Sequence, residues 1–231
     1  MYELEKREDV SFLRTTYEDN PFLPNTIIKE IESYEPTEEN IERGTASDRM
    51  WSIYGKGLTF KGSEVIYPIW NEYEENPKGY DYVYLGLDWG FNHPLACVKV
   101  FFVGNDIYIR QLYYKSEPDI DELEAIIRAD EHGKDTYLVC DSAEPRAVAD
   151  LIRRGLNAVK ARKVAGSVLT GIRRMQQKKI YVHKDSEGVK HELNNYKWKV
   201  DKRTDKILDM PIKENDDALD AVRYIITTFE I

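Results

Sequence analysis

Tyr82-Val83-Tyr84-Leu85-Gly86-Leu87-Asp88-Trp89-Gly90 places the first and central element of the fold. Its apolar, β-rich residues close on a Trp-Gly turn, which predicts a buried central strand ending in an aspartate. Strand runs at 95–103 and 106–114 follow, separated by Gly104-Asn105, so an antiparallel meander of three strands is expected. Beyond it the periodicity alternates. Helices are predicted over 119–131, 145–154, 167–177, 189–195 and 216–229, with strands at 136–141, 156–159 and 180–182 and a polar hairpin over 198–210. A meander followed by alternating helices and strands is an α/β pattern with a mixed sheet rather than a doubly wound one.

The first 80 residues lack this strand rhythm. They carry a turn at Asn20-Pro21, a helical run over 27–34 and an irregular helical stretch over 38–55. The breakers Asn76-Pro77-Lys78-Gly79 coincide with the change in composition, so the expected division is a mainly helical extension, 1–78, and an α/β domain, 79–231.

Composition narrows the function classes. Of 231 residues, 42% are hydrophobic and 32% charged, which is the balance of a chain that buries a core rather than a disordered one. No run approaches the roughly 20 apolar residues of a membrane span. The opening residues, Met1 to Lys6, lack the basic-then-apolar order of a signal peptide, so a cytoplasmic location is expected. Cys97 and Cys140 sit inside apolar strand runs and read as buried thiols, and with the four histidines they form no zinc pattern.

A net charge of −9 argues at first against a phosphate-rich partner. The charge is segregated, however: residues 1–81 hold 18 acidic and 9 basic side chains, whereas 145–180 hold 10 basic ones against Asp150 alone. Lys160, Arg162 and Lys163 precede the helix that carries Arg173 and Arg174, and together they are candidates for contacting a DNA backbone. For each of them taken alone, a solvated helix or loop face is the competing explanation.

The candidate chemistry lies in carboxylates. Asp88 ends the first strand of the meander, Asp141 ends the strand at 136–141, and Asp217 and Asp220 lie on the last helix, three residues apart on the side away from Leu219, Val222, Ile226 and Phe229. Each has a structural explanation too. Asp88 could organise a turn, Asp141 could cap the next helix, and an acidic helix start complements the macrodipole. Yet an apolar strand avoids an ionised carboxylate at its buried end unless something compensates the lost hydration. Magnesium or manganese would do so, and a pair of such ions supports phosphodiester hydrolysis with carboxylate and water ligands alone.

Four segments together resemble the nuclease domain of tailed-bacteriophage large terminase subunits: 84–90, Val139-Cys140-Asp141-Ser142-Ala143-Glu144-Pro145, Gly166-Ser167 with Gly171-Ile172, and Asp217-Ala218-Leu219-Asp220-Ala221-Val222-Arg223-Tyr224. Residues 15–23 and 54–57 look like the tail of the terminase motor region. The resemblance implies a ribonuclease-H-like fold and a Mn2+- or Mg2+-dependent endonuclease, using two ions, that cuts concatemeric viral DNA with little sequence preference. It implies Asp88, Asp141 and Asp220 as metal ligands and catalytic groups. Asp217 stands at a position where relatives often have histidine, which leaves it open as a further ligand and catalytic group, a water-positioning group or a neighbour, with Asp216 the alternative helical acid, and 198–210 falls where relatives have a hairpin near the active site. It further implies double-stranded DNA, the motor ATPase domain, the small terminase subunit and the portal as partners, at the procapsid in the cytoplasm of an infected bacterium. No Gly-x-x-x-x-Gly-Lys-Ser/Thr loop is present, so this chain is expected to be the C-terminal portion of a longer polypeptide, without ATPase activity. The competing classes are a Holliday-junction resolvase or transposase core, a non-catalytic DNA-binding or docking module, and an actin-like ATPase, which the absence of a second glycine-rich phosphate turn disfavours.

Overall fold

The computed structural model describes residues 14–43, 45–46, 50–57, 64–90, 93–201, 204 and 206–231. Met1 to Lys6, and positions 44 and 47–49 of the expected 38–55 helical stretch, lie outside them. The chain forms two compact units, residues up to 63 and from Glu64 onward.

In the first unit a 3-10 turn, Tyr17–Asp19, precedes α1 (Asn25–Ser33) and α2 (Glu38–Arg43), and a π-helical turn spans Trp51–Gly55. Asp19 Oδ2 accepts hydrogen bonds from the Thr16 amide at 2.7 Å and its hydroxyl at 3.0 Å, which satisfies donors that a helix start leaves open. The Tyr17 and Trp51 rings meet with centroids 6.2 Å apart.

The second unit is built on a seven-stranded sheet. Its strands are β1 (Asn71–Tyr73), β2 (Tyr82–Asp88), β3 (Leu95–Val103), β4 (Asp106–Lys115), β5 (Leu138–Cys140), β6 (Ala158–Lys160) and β7 (Lys179–His183), in the spatial order β1-β7-β4-β3-β2-β5-β6. The meander β2-β3-β4 is antiparallel, and every other pairing in this sheet is parallel. Helices α3 (Ile120–Ala129) and α4 (Pro145–Arg153) cover one face. The other is covered by α5 (Ser167–Gln176), α6 (Glu187–Asn195) and α7 (Asp217–Phe229). A two-stranded ribbon, β8 (Trp198–Val200) and β9 (Ile207–Pro211), forms the expected hairpin.

Burial on both faces explains why β3 reads as a continuous apolar run: eight of its nine residues are buried. Lys99 is the polar exception, 1% exposed, with its ammonium 2.5 Å from Asp130 Oδ2 beyond the end of α3. Cys97 and Cys140 are buried free thiols, as expected.

The expected break at 76–79 is displaced. Ile66 and Tyr67 belong to the core and β1 pairs in parallel with β7, so the α/β unit begins before the Asn-Pro-Lys-Gly breakers, which form only a surface loop within it. The cause is local polarity. Asn71–Tyr73 buries one residue of three and carries no alternating signal for a sequence pattern to detect.

Candidate metal centre

Side-chain parity delivers the first two carboxylates. Leu85 and Leu87 of β2 face the core beneath α3 and α4, as do Leu138 and Cys140 of β5. With a period of two, Asp88 and Asp141 therefore face the α7 side. The parallel register pairs Leu87 with Cys140, and the Asp141 amide donates to the Leu87 carbonyl at 2.9 Å. The two aspartates thus leave the sheet side by side at one edge. Asp141 does not cap α4, whose N-cap is Glu144; its Oδ1 accepts from the Ala143 amide at 2.8 Å instead.

Helix α7 supplies the rest because it rides on the strands. At Gly86 a methyl group would stand 2.3 Å from the Ala221 carbonyl oxygen, so only glycine permits this approach of helix to strand. One turn past Asp220, the Tyr224 hydroxyl reaches back and donates to Asp88 Oδ1 at 3.1 Å. Asp88, Asp141, Asp216 and Asp220 consequently line one cavity of about 430 Å³, together with His93, Lys163, Lys213, Tyr196, Arg223 and Tyr224.

Asp217 is placed differently from the expectation that paired it with Asp220 on one face. It is 7% exposed and absent from the lining, whereas Asp216, the residue before it, lines the cavity. Asp216 is the N-cap of α7, with φ −133° outside the helical region, so its side chain does not follow the helical spacing that pairs 217 with 220.

Negative charge accumulates at this edge. Burial pushes the Asp88 carboxyl up to about 8, and Asp220, Asp141 and Asp217 add to the rise. Burial, with Asp220 and Asp217 adding to it, raises Asp216 to about 6. Asp217 is raised by burial as well, with His93 opposing. Asp141 departs from this pattern: burial would raise it, but Lys163 and the Ala143 amide outweigh that and hold it below the usual carboxylate range.

Two cations stand against the acids. Lys163 pairs with Asp141 and sits over the Tyr224 ring. Arg223, 4% exposed, grips Asp220 with two hydrogen bonds of 2.9 and 2.6 Å, its stem lying in the gap left by Gly171. With the side chains so engaged, no three His, Cys, Asp or Glu groups among the described residues converge closely enough to hold one ion. The donor set nevertheless fits a hard divalent cation. Oxygen ligands predominate, and at Asp88 and Asp216 burial and the neighbouring acids outweigh whatever compensates them.

The basic segment divides. Lys163 belongs to the cavity. Arg162 pairs with Glu230, and Arg173 on α5 lies 3.1 Å from Asp209 of the hairpin. Lys160 and Arg174 have no ion pair among the described residues. Sequence reasoning does not single out His93, Lys213, Arg223 or Tyr224. For the last two a signal is available, since they lie three and four residues after Asp220 on one helix.

A sequence model described as the terminase RNase H-like domain matches residues 88–228. The chain belongs to this family. Its fold is the RNase H-like terminase nuclease fold, found among solved structures at low sequence identity. The nuclease domain of the SPP1 large terminase, solved with bound Mn, superposes with a TM-score of 0.60 at 20% identity, over 71% of this chain and 97% of that one. The P22 large terminase nuclease domain gives 0.57 at 17% identity, over 74% and 95%. The large terminase of a thermophilic bacteriophage, in complex with ADP, gives 0.58 at 21% identity over 95% of this chain. That match covers 55% of the thermophilic phage protein, so this terminase chain spans about half of that relative's length. No curated protein matches the sequence.

Proposed function

We propose that this terminase domain is a metal-dependent DNA endonuclease that cuts concatemeric viral DNA during genome packaging. The observation that carries the reading is the β2–β5 register, which sets Asp88 and Asp141 side by side on the cavity that Asp220 also lines. Membership of the terminase family and the Mn bound by the SPP1 domain support it.

Asp88, Asp141 and Asp220 would hold two Mn2+ or Mg2+ ions, with Asp216 in reach of the same cavity and Asp217 buried behind it. Bound there, the ions supply an activated water and stabilisation of the leaving oxygen. The protein's own groups do the rest. Tyr224 orients Asp88 through its hydroxyl. Lys163 and Lys213 present positive charge toward a phosphodiester entering the cavity. The floor of β2, β5 and α7 fixes the carboxylates before substrate arrives.

Supercoiled plasmid is expected to be nicked and then linearised in Mn2+, with cleavage ended by chelation. The non-catalytic docking alternative draws on the engagement of Asp141 and Asp220 by Lys163 and Arg223. Duplex binding without cleavage in any divalent metal would favour it and overturn the nuclease reading.

Duplex DNA is proposed to run along α5 and the loop before it, touching Lys160, Arg162, Arg173 and Arg174. Replacing Arg173 and Arg174 together by glutamate should weaken binding to all sequences alike. It should also lower the slope of log affinity against log salt by about 2, because each phosphate contact contributes roughly 0.9. Fluorescence anisotropy across a salt series measures both, and an unchanged slope would remove this helix from the interface.

A further inference from the structure

The N-terminus of α7 is capped from outside itself. Asp216 occupies its N-cap position and makes no side-chain cap hydrogen bond. The amides of Ala218 and Leu219, second and third in the helix, are those an N-cap side chain ordinarily satisfies. Here they donate at 3.0 and 2.9 Å to Oε1 and Oε2 of Glu192 on α6. Glu192 is 0% exposed, and Oε1 also accepts from the Tyr114 hydroxyl of β4 at 2.9 Å. A second contact from α6 acts on the same turn: His191 Nε2 lies 3.1 Å from Oδ1 of Asn215, whose φ of 57° is left-handed.

A fully buried carboxylate survives only where its hydrogen bonds replace hydration. Two backbone amides and a phenol replace part of it here and the helix dipole favours negative charge at that end, while burial, with Asp217 adding to it, still pushes the Glu192 carboxyl up to about 7. The consequence reaches the metal centre. With the cap provided by Glu192, the Asp216 carboxylate is free to line the cavity, and the turn that carries Asp216, Asp217 and Asp220 is fixed to α6 and β4 as well as to β2.

We infer that Glu192 is a positioning residue for the candidate metal centre: it takes over the N-cap of α7, fixing Asp220 and releasing Asp216 into the site. The inference rests on the nuclease reading above. Without Glu192, Asp216 would turn back to cap its own helix and leave the cavity.

The test measures Mn2+ binding to the full chain by calorimetry, alongside the Mn2+ dependence of plasmid nicking, for wild type, Glu192→Gln, Asp216→Asn and the double variant. Glutamine keeps the volume and one acceptor but loses the charge. Glu192→Gln should weaken Mn2+ binding about tenfold and raise the Mn2+ midpoint of nicking in step, as loss of a group that orients metal ligands does. The two substitutions should be less than additive, because both remove Asp216 from the site. A lower melting temperature with unchanged Mn2+ affinity would make Glu192 a purely structural cap and overturn the inference, as would full additivity. Tyr114→Phe keeps Glu192 and removes one of its hydrogen bonds; if Glu192→Gln does not fold, it carries the same measurement and is expected to shift the midpoint in the same direction. An unmoved midpoint would overturn the inference. Absence of both Mn2+ binding and nicking in wild type is a different failure, since it overturns the nuclease reading itself.

Discussion

Replacing Asp88 by asparagine is expected to remove metal-dependent cleavage, by roughly 10³-fold or more, while raising the melting temperature of the metal-free protein. Both effects have one origin. The Asp88 carboxyl is pushed up to about 8 by burial and by Asp220, Asp141 and Asp217, against an ordinary value of 3.8. A carboxyl raised on folding is more easily protonated in the folded chain than in the unfolded one. Its cost is therefore absent below about pH 4, grows as the pH rises, and is complete above about pH 8. A tenfold change in proton affinity corresponds to about 1.4 kcal/mol, and solvent reaching this half-buried group reduces the total, leaving about 2 kcal/mol at pH 8. That corresponds to a gain of about 5 °C in Asp88→Asn, which vanishes near pH 4. Asparagine retains the oxygen that the Tyr224 hydroxyl needs. Asp141→Asn should behave oppositely without metal. Its carboxylate is held low by Lys163, so neutralising it leaves that ammonium without its partner and lowers stability. Differential scanning fluorimetry from pH 4 to 8, with and without Mn2+, separates the cases. Retained cleavage in Asp88→Asn, or a melting temperature that falls at pH 8, would contradict the assignment.

Gly86→Ala is the second large effect, and it acts through packing. The added methyl group would stand 2.3 Å from the Ala221 carbonyl oxygen and 2.8 Å from its carbonyl carbon. Both are helix backbone, so no rotamer change relieves the clash, and α7 must move away from β2. Overpacking of this kind costs about 3 kcal/mol, and urea denaturation should register it as a lower midpoint at unchanged slope. The same displacement carries Asp216 and Asp220 away from Asp88 and Asp141, so Mn2+ binding should weaken in the fraction that remains folded. Alanine at an exposed glycine with open space, Gly79, provides the control. Equal stability of the Gly86 and Gly79 variants would show that the helix–strand approach is not tight.

Part of this arrangement is legible in the sequence because apolar runs mark the strands and their ends. Residues 82–88 and 136–141 read as short apolar runs that each close on an aspartate, so the strand-end placement of Asp88 and Asp141 is visible, whereas the face they leave from is not, because a strand buried on both faces carries no alternating pattern. The meander is equally visible, and β2, β3 and α7 begin within a residue of their expected starts. β1 is not, since a three-residue polar strand has no periodicity and owes its existence to an exposed edge of β7 about a hundred residues further on.

The helical carboxylates mark where the sequence stops being sufficient. The string Asp216-Asp217-Ala218-Leu219-Asp220 offers three acids, and helical spacing alone pairs 217 with 220. Lys163 likewise belongs, in sequence, to a basic surface segment, and the folded chain turns it to Asp141.

The order of the elements, the strand-end positions of Asp88 and Asp141 and the oxygen-rich character of the site are written in the chain itself. These follow from local periodicity and residue chemistry. Folding adds what they leave open: Asp216 lines the cavity while Asp217 is buried, Arg223 and Lys163 pair with the acids, and Glu192 caps α7. Each of these depends on how far α7 rotates as it settles onto Gly86 and against α6. That rotation is set by close packing between segments remote in the chain, which no local pattern encodes.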